Sequence, residues 1–199
     1  MSDTYKTISA LSEGLYKEKG SRFISFAIPV DSLETIKELL NDYRKQYYDA
    51  RHVCYAYMLG VERTEFRTND DSEPSGTAGR PILGQINSFE LTNVLIIVVR
   101  YFGGVLLGTG GLVTAYKEAA ADAIRNACVV EQTVDCLFIT TFDYIYMNDV
   151  MKVVKETDAQ IIKQYYEQNC VIELSIRQKD ASLLTEKLLK IKTLSLRNE

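Results

Sequence analysis

Between residues 100 and 120 the chain reads RYFGGVLLGTGGLVTAYKEAA. Five of the chain's 11 glycines, Gly103, Gly104, Gly108, Gly110 and Gly111, fall in this stretch. Glycine permits positive φ and close approach of the backbone to a ligand. A helix that begins after such a turn offers free N–H groups and the positive end of its dipole. Phosphate or carboxylate is the chemistry that fits. Thr109 and Thr114 add hydroxyls, and Arg100 and Lys117 add positive charge. The spacing matches neither common nucleotide fingerprint: Thr109 is followed by glycine with no lysine before it, and Val113 stands where a dinucleotide motif needs glycine. The competing reading is a turn that only lets the helix pack closely on a sheet, for which Ala115, Ala119, Ala120 and Ala123 are suited.

A second stretch, DDSEPSGTAGRP at residues 70–81, carries Asp70, Asp71 and Glu73 within four residues. Three carboxylates at this spacing could hold a divalent ion through oxygen. Ser75, Gly76, Thr77 and Gly79 could instead form a nest of backbone N–H groups around an anion. A solvated acidic loop held by Asx-turns is the plain alternative. The third stretch, ARHVCYAY at residues 50–57, puts His52 and Cys54 on one face of a strand. Neighbours on one strand face do not readily form the hydrogen bond that a Cys–His nucleophile needs, and no third group is evident, so a core or interface role is favoured.

The elements that position these stretches follow from periodicity. Leu33, Ile36, Leu39, Leu40 and Tyr43 recur at helical spacing and predict a helix over residues 33–46, with Asp31 as N-cap. Strands are expected at residues 15–19 and 22–28, joined by a turn at Gly20–Ser21. Others are expected at 52–60 and at 64–68. Residues 69–81 read as a loop, 81–88 as a short helix and 93–99 as a strand buried on both faces. The glycine turn then leads into a helix over residues 112–126. A domain boundary is expected near 130–135, giving domains over 1–130 and 135–199. The remainder reads strand (136–141), helix (145–157), strands (160–168 and 170–177), helix (182–190) and strand (193–196), with Asp143 and Asp180 as N-caps. This βαββαβ order is the ferredoxin-like pattern, expected as a four-stranded antiparallel sheet with two helices on one face. Val150, Val153 and Val154 should face Leu184 and Leu188.

Composition narrows the function. Hydrophobic residues make up 46% and charged residues 25%, an ordinary globular balance. The formal net charge of −4 argues against a broad nonspecific nucleic-acid binder, so any RNA contact needs a local basic patch. The four cysteines lack zinc-site spacing, and His52 is the one histidine, so no metal site of Cys and His is expected. The N-terminus lacks a secretory pattern and the most apolar run is too short to span a bilayer, which points to the cytoplasm with reduced thiols.

The strings HVCYAY (52–57), DDSEPSGTAGRP (70–81), VVRYFGG (98–104) and LGTGGLVTAY (107–116), in this order and spacing, resemble the signature of the IMPACT/YigZ family. Ser72 departs from it, because the family often carries glycine there, and Thr114 stands where arginine is frequent. The resemblance implies an α+β chain of two domains. The first is a left-handed βαβ domain like the second domain of a small-subunit ribosomal protein, and the second is a ferredoxin-like domain. Eukaryotic relatives regulate translation, which implies a regulatory module that binds the ribosome, RNA or a translation-associated protein. No cofactor is implied, and a monomer is compatible with the sequence. Arg80, Tyr101 and Phe102 join the candidate binding residues because they fall inside the matched strings. The 50–81 and 100–117 stretches, flanking buried strands, are expected to converge on one patch. The alternative is a phosphate-handling enzyme, with Mg²⁺ on Asp70, Asp71 and Glu73 facing a phosphate at the glycine turn. No base, nucleophile or catalytic lysine is identifiable for it.

Overall fold

The computed structural model describes residues 3–166 and 168–198. In chain order its elements are β1 (Thr4–Ile8), β2 (Ser12–Glu18), β3 (Ser21–Pro29), α1 (Leu33–Gln46), β4 (His52–Leu59), β5 (Glu65–Asn69), α2 (Gly79–Ser88), β6 (Val94–Tyr101), α3 (Gly108–Asn126) and β7 (Val129–Thr133). There follow β8 (Asp135–Phe142), α4 (Met147–Glu156), β9 (Gln160–Tyr166), β10 (Cys170–Arg177), α5 (Ala181–Leu188) and β11 (Ser195–Asn198). Contacts divide the chain into one unit over Tyr5–Gln132 and a second that runs from Thr133 and includes Asp3 and Thr4.

In the first unit the sheet order is β2-β3-β6-β4-β5, and each neighbouring pair is antiparallel. β3 and β4 are therefore parallel, with β6 between them and α1 joining them in a βαβ unit. Side chains alternate across a strand, so the all-apolar run of β6 serves two cores. Val94, Ile96 and Val98 pack with Phe23, Ala56, Met58 and the helices α2 and α3. Leu95, Ile97 and Val99 pack with Phe26, Val53, Tyr55 and α1. Each such fully buried side chain contributes about 1.5–3 kcal/mol relative to exposure, which is why β6 holds the centre.

α1 is capped by Ser32, whose side chain accepts from the Thr35 N–H at 3.3 Å, one residue later than the Asp31 cap expected from sequence. α3 lies unusually close to the sheet. A Cβ on Gly14 in β2 would sit 2.4 Å from the Ala123 backbone nitrogen, and the Ser25 hydroxyl donates to the Ala119 carbonyl at 2.6 Å. The buried alanines of α3 thus have the packing role that their size suggests.

The second unit is the ferredoxin-like arrangement: an antiparallel sheet ordered β11-β8-β10-β9, with α4 and α5 over one face. Cys170, Ile172, Leu174 and Ile176 of β10 point inward, against Val150 and Val154 of α4 and Leu184 and Leu188 of α5. Val153 packs at the edge of this core. Neither Asp143 nor Asp180 makes the side-chain cap expected of it, although both stand at the N-cap positions of short turns or helices. The strand expected over residues 160–168 ends at Tyr166, and residue 167 lies outside the described residues. No helix among the described residues is long and apolar enough to cross a membrane.

Candidate functional site

The loop after β5 and the loop after β6 meet at the end of the first unit's sheet, as their flanking strands suggest. Between them lies a cavity of about 420 Å³. Its polar floor is made by Arg51, His52, Glu73 and Arg100. Its apolar walls are Pro74, Phe102, Leu106, Leu107 and Leu112, and Gly108 and Thr109 bring the start of α3 to its edge.

The floor is assembled by register. His52 in β4 stands opposite Arg100 in β6, and Arg100 stands opposite Phe23 in β3. The Arg100 guanidinium lies over the Phe23 ring at 5.4 Å and over the Phe102 ring at 5.7 Å. Its Nη1 donates to Glu73 Oε1 at 2.6 Å, with both side chains almost wholly buried. The same Glu73 oxygen accepts the Tyr116 hydroxyl at 2.8 Å. His52 Nδ1 lies 2.7 Å from the Asp71 carbonyl oxygen, which can only accept, so Nδ1 carries the proton and Nε2 faces Glu73 Oε1 at 3.7 Å. The Cys54 thiol sits 3.1 Å from the Asp70 carbonyl oxygen and 3.3 Å from the Tyr116 oxygen. Burial pushes both the Cys54 thiol and the Tyr116 phenol well above their ordinary pKa values, so neither ionises at neutral pH. His52 and Cys54 make separate hydrogen bonds, consistent with a positioning role for each and not with a nucleophilic pair.

The carboxylates of the second stretch do not converge on a cation. Asp70 accepts from the N–H groups of Gly76 (2.8 Å), Ala78 (3.0 Å) and Gly79 (2.8 Å). Of the nest expected from Ser75, Gly76, Thr77 and Gly79, only Gly76 and Gly79 take part, Ala78 joins them and the Thr77 N–H donates to the Pro74 carbonyl at 3.0 Å; the anion held is the chain's own. Burial disfavours ionising Asp70, but these three donors with the nearby Arg80 charge outweigh it and hold its pKa below the usual value. Asp71 accepts from the Val53 N–H at 2.6 Å, and Glu73 is committed to Arg100 and Tyr116. Among the described residues no three His, Cys, Asp or Glu side chains are grouped to hold a metal. The Mg²⁺ arrangement of the enzyme alternative does not fit, because each carboxylate already has hydrogen-bond or ion-pair partners.

The glycine stretch also differs from its reading as one turn. α3 begins at Gly108, so Gly110 and Gly111 belong to its first turn and are not among the positive-φ residues. Gly104 (φ 86°) and Gly108 (φ 71°) supply the left-handed geometry. Gly103 serves a different purpose. A Cβ there would lie 1.9 Å from the Gly20 carbonyl carbon, so the bare backbone lets the loop pass the β2–β3 turn.

Of the candidate residues, His52, Glu73, Arg100, Phe102 and Gly108 line the cavity. Thr77 is buried and its hydroxyl donates to the Pro74 carbonyl at 2.7 Å; Ser75, Arg80 and Lys117 are exposed away from the lining. Tyr101 points to the opposite sheet face, where it packs beside the α1 core and its hydroxyl donates to Asp49 at 2.9 Å. Sequence reasoning misses Tyr116. Its signal is present, because it follows the buried Leu112 by four residues on an amphipathic helix, and a buried phenol needs a partner. It also misses the exposed apolar rim of Val105 and Leu106.

Comparison with known proteins matches residues 19–124 to the Impact N-terminal domain. The chain is 30% identical to "IMPACT family member YvyE" of Bacillus subtilis (strain 168) over 186 residues, covering 94% of this chain and 86% of that protein. It is 32% identical to "IMPACT family member YigZ" of Escherichia coli (strain K12), covering 79% and 78%. A crystal structure of a hypothetical protein superposes with a TM-score of 0.75 at 28% identity, covering 98% of this chain and 97% of that one.

Proposed function

The chain belongs to the IMPACT family, and on that premise we propose that it is a translation-linked regulatory module that docks a partner through the cleft of its first unit. The translation link rests on the family resemblance. The use of this cleft rests on one observation above the others: an apolar rim stands in solvent beside a closed polar floor. Leu106 is 83% exposed and Val105 and Phe102 about half exposed. Exposed apolar side chains grouped beside a pocket are the mark of a protein- or ligand-binding surface. Among the floor groups Glu73 is already held by Arg100 and Tyr116, so it is not poised as a base against a nucleophile. A protein partner suits this rim and the acidic charge balance better than broad RNA contact. Work in the cytoplasm, with the four cysteines free, agrees with the same role.

Ribosome cosedimentation at two salt concentrations, together with recovery of translation-associated proteins on the immobilised chain, tests the reading. Leu106→Asp changes a solvated position and should leave the melting temperature unchanged while reducing recovery at least tenfold at both salts. Equal recovery by the variant would remove the cleft from the function. Loss of all binding at the higher salt would favour an electrostatic RNA contact instead.

A further inference from the structure

We infer that the cleft takes a tryptophan side chain of the docked partner, its indole N–H reaching acceptors on the floor and its ring filling the apolar walls. This rests on the docking reading above and names the chemistry of what docks. The floor presents two hydrogen-bond acceptors that the chain itself does not use. His52 gives the Nδ1 proton to the Asp71 carbonyl, so Nε2 of the neutral imidazole carries a lone pair. Glu73 Oε1, 3.7 Å away, is an acceptor too and cannot satisfy it. Glu73 commits Oε1 to Arg100 and Tyr116, and its Oε2 takes no donor from the described residues. Both residues are nine-tenths buried, with His52 9% and Glu73 8% exposed. Yet neither Nε2 nor Oε2 is among the fully enclosed polar atoms that lack a partner. Each therefore keeps accessible surface, and the cavity is the open space that both residues line.

The rest of the lining selects the occupant, independently of these two atoms. Pro74, Phe102, Leu106, Leu107 and Leu112 call for an apolar body. A carboxylate or phosphate would set its own lone pairs against the floor acceptors. An ammonium would enter between Arg51 and Arg100, two cations against the single carboxylate of Glu73. A neutral donor on an apolar body fits both ends. Tryptophan is that combination without an acceptor, because its indole N–H only donates, whereas the phenol oxygen of tyrosine also presents lone pairs. Aromatic anchors with one polar handle are the residues that fill such interface pockets. The cavity, about 420 Å³, lies toward the small end of the roughly 300–1,000 Å³ typical of ligand pockets. That is room for one ring system with its backbone and not for a length of helix. The chain contains no tryptophan, so the anchor comes from another protein and not from a second copy of this one.

Acetylated and amidated Gly-X-Gly peptides test this on the full chain, with X as tryptophan, 1-methyltryptophan, phenylalanine or tyrosine. Because the chain lacks tryptophan, the fluorescence of the two indole peptides reports their binding directly. The other peptides and guanosine are scored by displacement of the tryptophan peptide. The tryptophan peptide should bind. The 1-methyl peptide keeps the ring, loses the donor and should bind about tenfold more weakly or worse, as should the phenylalanine peptide. His52→Asn retains a donor toward Asp71 and removes Nε2, so it should narrow the ratio between the two indole peptides. The ratio measured on the parent decides the matter even if that variant does not fold. Equal binding of the two indole peptides by the parent overturns the inference, and so does tighter binding of the tyrosine peptide. Guanosine that displaces the tryptophan peptide at concentrations as low as that peptide's own would overturn it in favour of a nucleobase. Failure of the tryptophan peptide, while ribosome or partner recovery still depends on Leu106, overturns the anchor and leaves the docking cleft standing. If Leu106→Asp alters no recovery, the docking reading itself has failed.

Discussion

Two glycine-containing loops of the first unit have opposite outcomes. Residues 70–79 set two glycines among carboxylates and hydroxyls, residues 102–111 set five glycines among Phe102, Val105, Leu106 and Leu107, and both follow strands of one sheet. The first turns its backbone donors inward onto Asp70 and becomes a closed, self-satisfied structure. The second leaves the start of α3 without a side-chain cap and sets an apolar rim at a cavity. A donor-rich loop is thus a candidate site only when its own chain does not fill it, and one aspartate at the right offset decides between the two.

The sharpest way to break the contrast is to empty the closed loop. Glu73→Ala leaves Arg100 buried without its partner and Tyr116 without its acceptor. We expect a loss of about 3–5 kcal/mol, the usual cost of removing one member of a buried pair, measured by urea denaturation. A loss under about 1 kcal/mol would mean that the floor is wetter than its geometry.

Two alanine substitutions in the open loop separate packing from exposure. Gly103→Ala forces a methyl into the β2–β3 turn backbone and should destabilise by about 2 kcal/mol or more, in the range of overpacked sites. Gly111→Ala meets only the Leu107 Cβ at 3.0 Å and sits in helical geometry. It should be neutral or stabilising by about 0.5–1 kcal/mol, the helix preference of alanine over glycine. Thermal melts of the two proteins check the order, and its reversal would return Gly111 to a strained turn.

The smallest effect is on acid stability. Asp70 titrates below its ordinary value when folded. Its contribution is therefore fully present above about pH 4, the unfolded carboxylate range, and is lost as pH falls through the lower folded value. Asp70→Asn should be less stable than the parent at pH 6, and the gap should narrow as pH drops below about 4. A gap independent of pH would show that charge at Asp70 does not matter.

Much of this is legible in the sequence. The apolar run of β6, the stripe of α1 and the strand–helix order of the second unit all follow from periodicity, because burial sets those patterns. The convergence of the two loops follows from their places beside buried strands. β1 and β7 are not legible because they pair with each other across more than a hundred residues: TYKTI is rich in strand-favouring residues, but no hairpin or local alternation points to its partner. Sequence puts the start of α3 four residues late because glycine is a poor helix former, and tertiary packing overrides that preference. Asp70 resembles a ligand because one sequence position does not reveal which backbone donors will fold around it. Ser72 shows the converse: it adopts φ 67°, which explains why a glycine there suits the family.

The place of β6 also governs the order in which the molecule can assemble. β3 and β4 never touch as neighbours; the strand between them is made later in the chain than either. As the polypeptide is synthesised, β2, β3, α1 and β4 must wait with two sheet edges unsatisfied until residue 101 is available. Closure then joins partners far apart in sequence, the kind of contact that slows folding and prolongs exposure of strand edges. Truncations that end just before Val94 should therefore be aggregation-prone, and refolding of the first unit should be slow for its size.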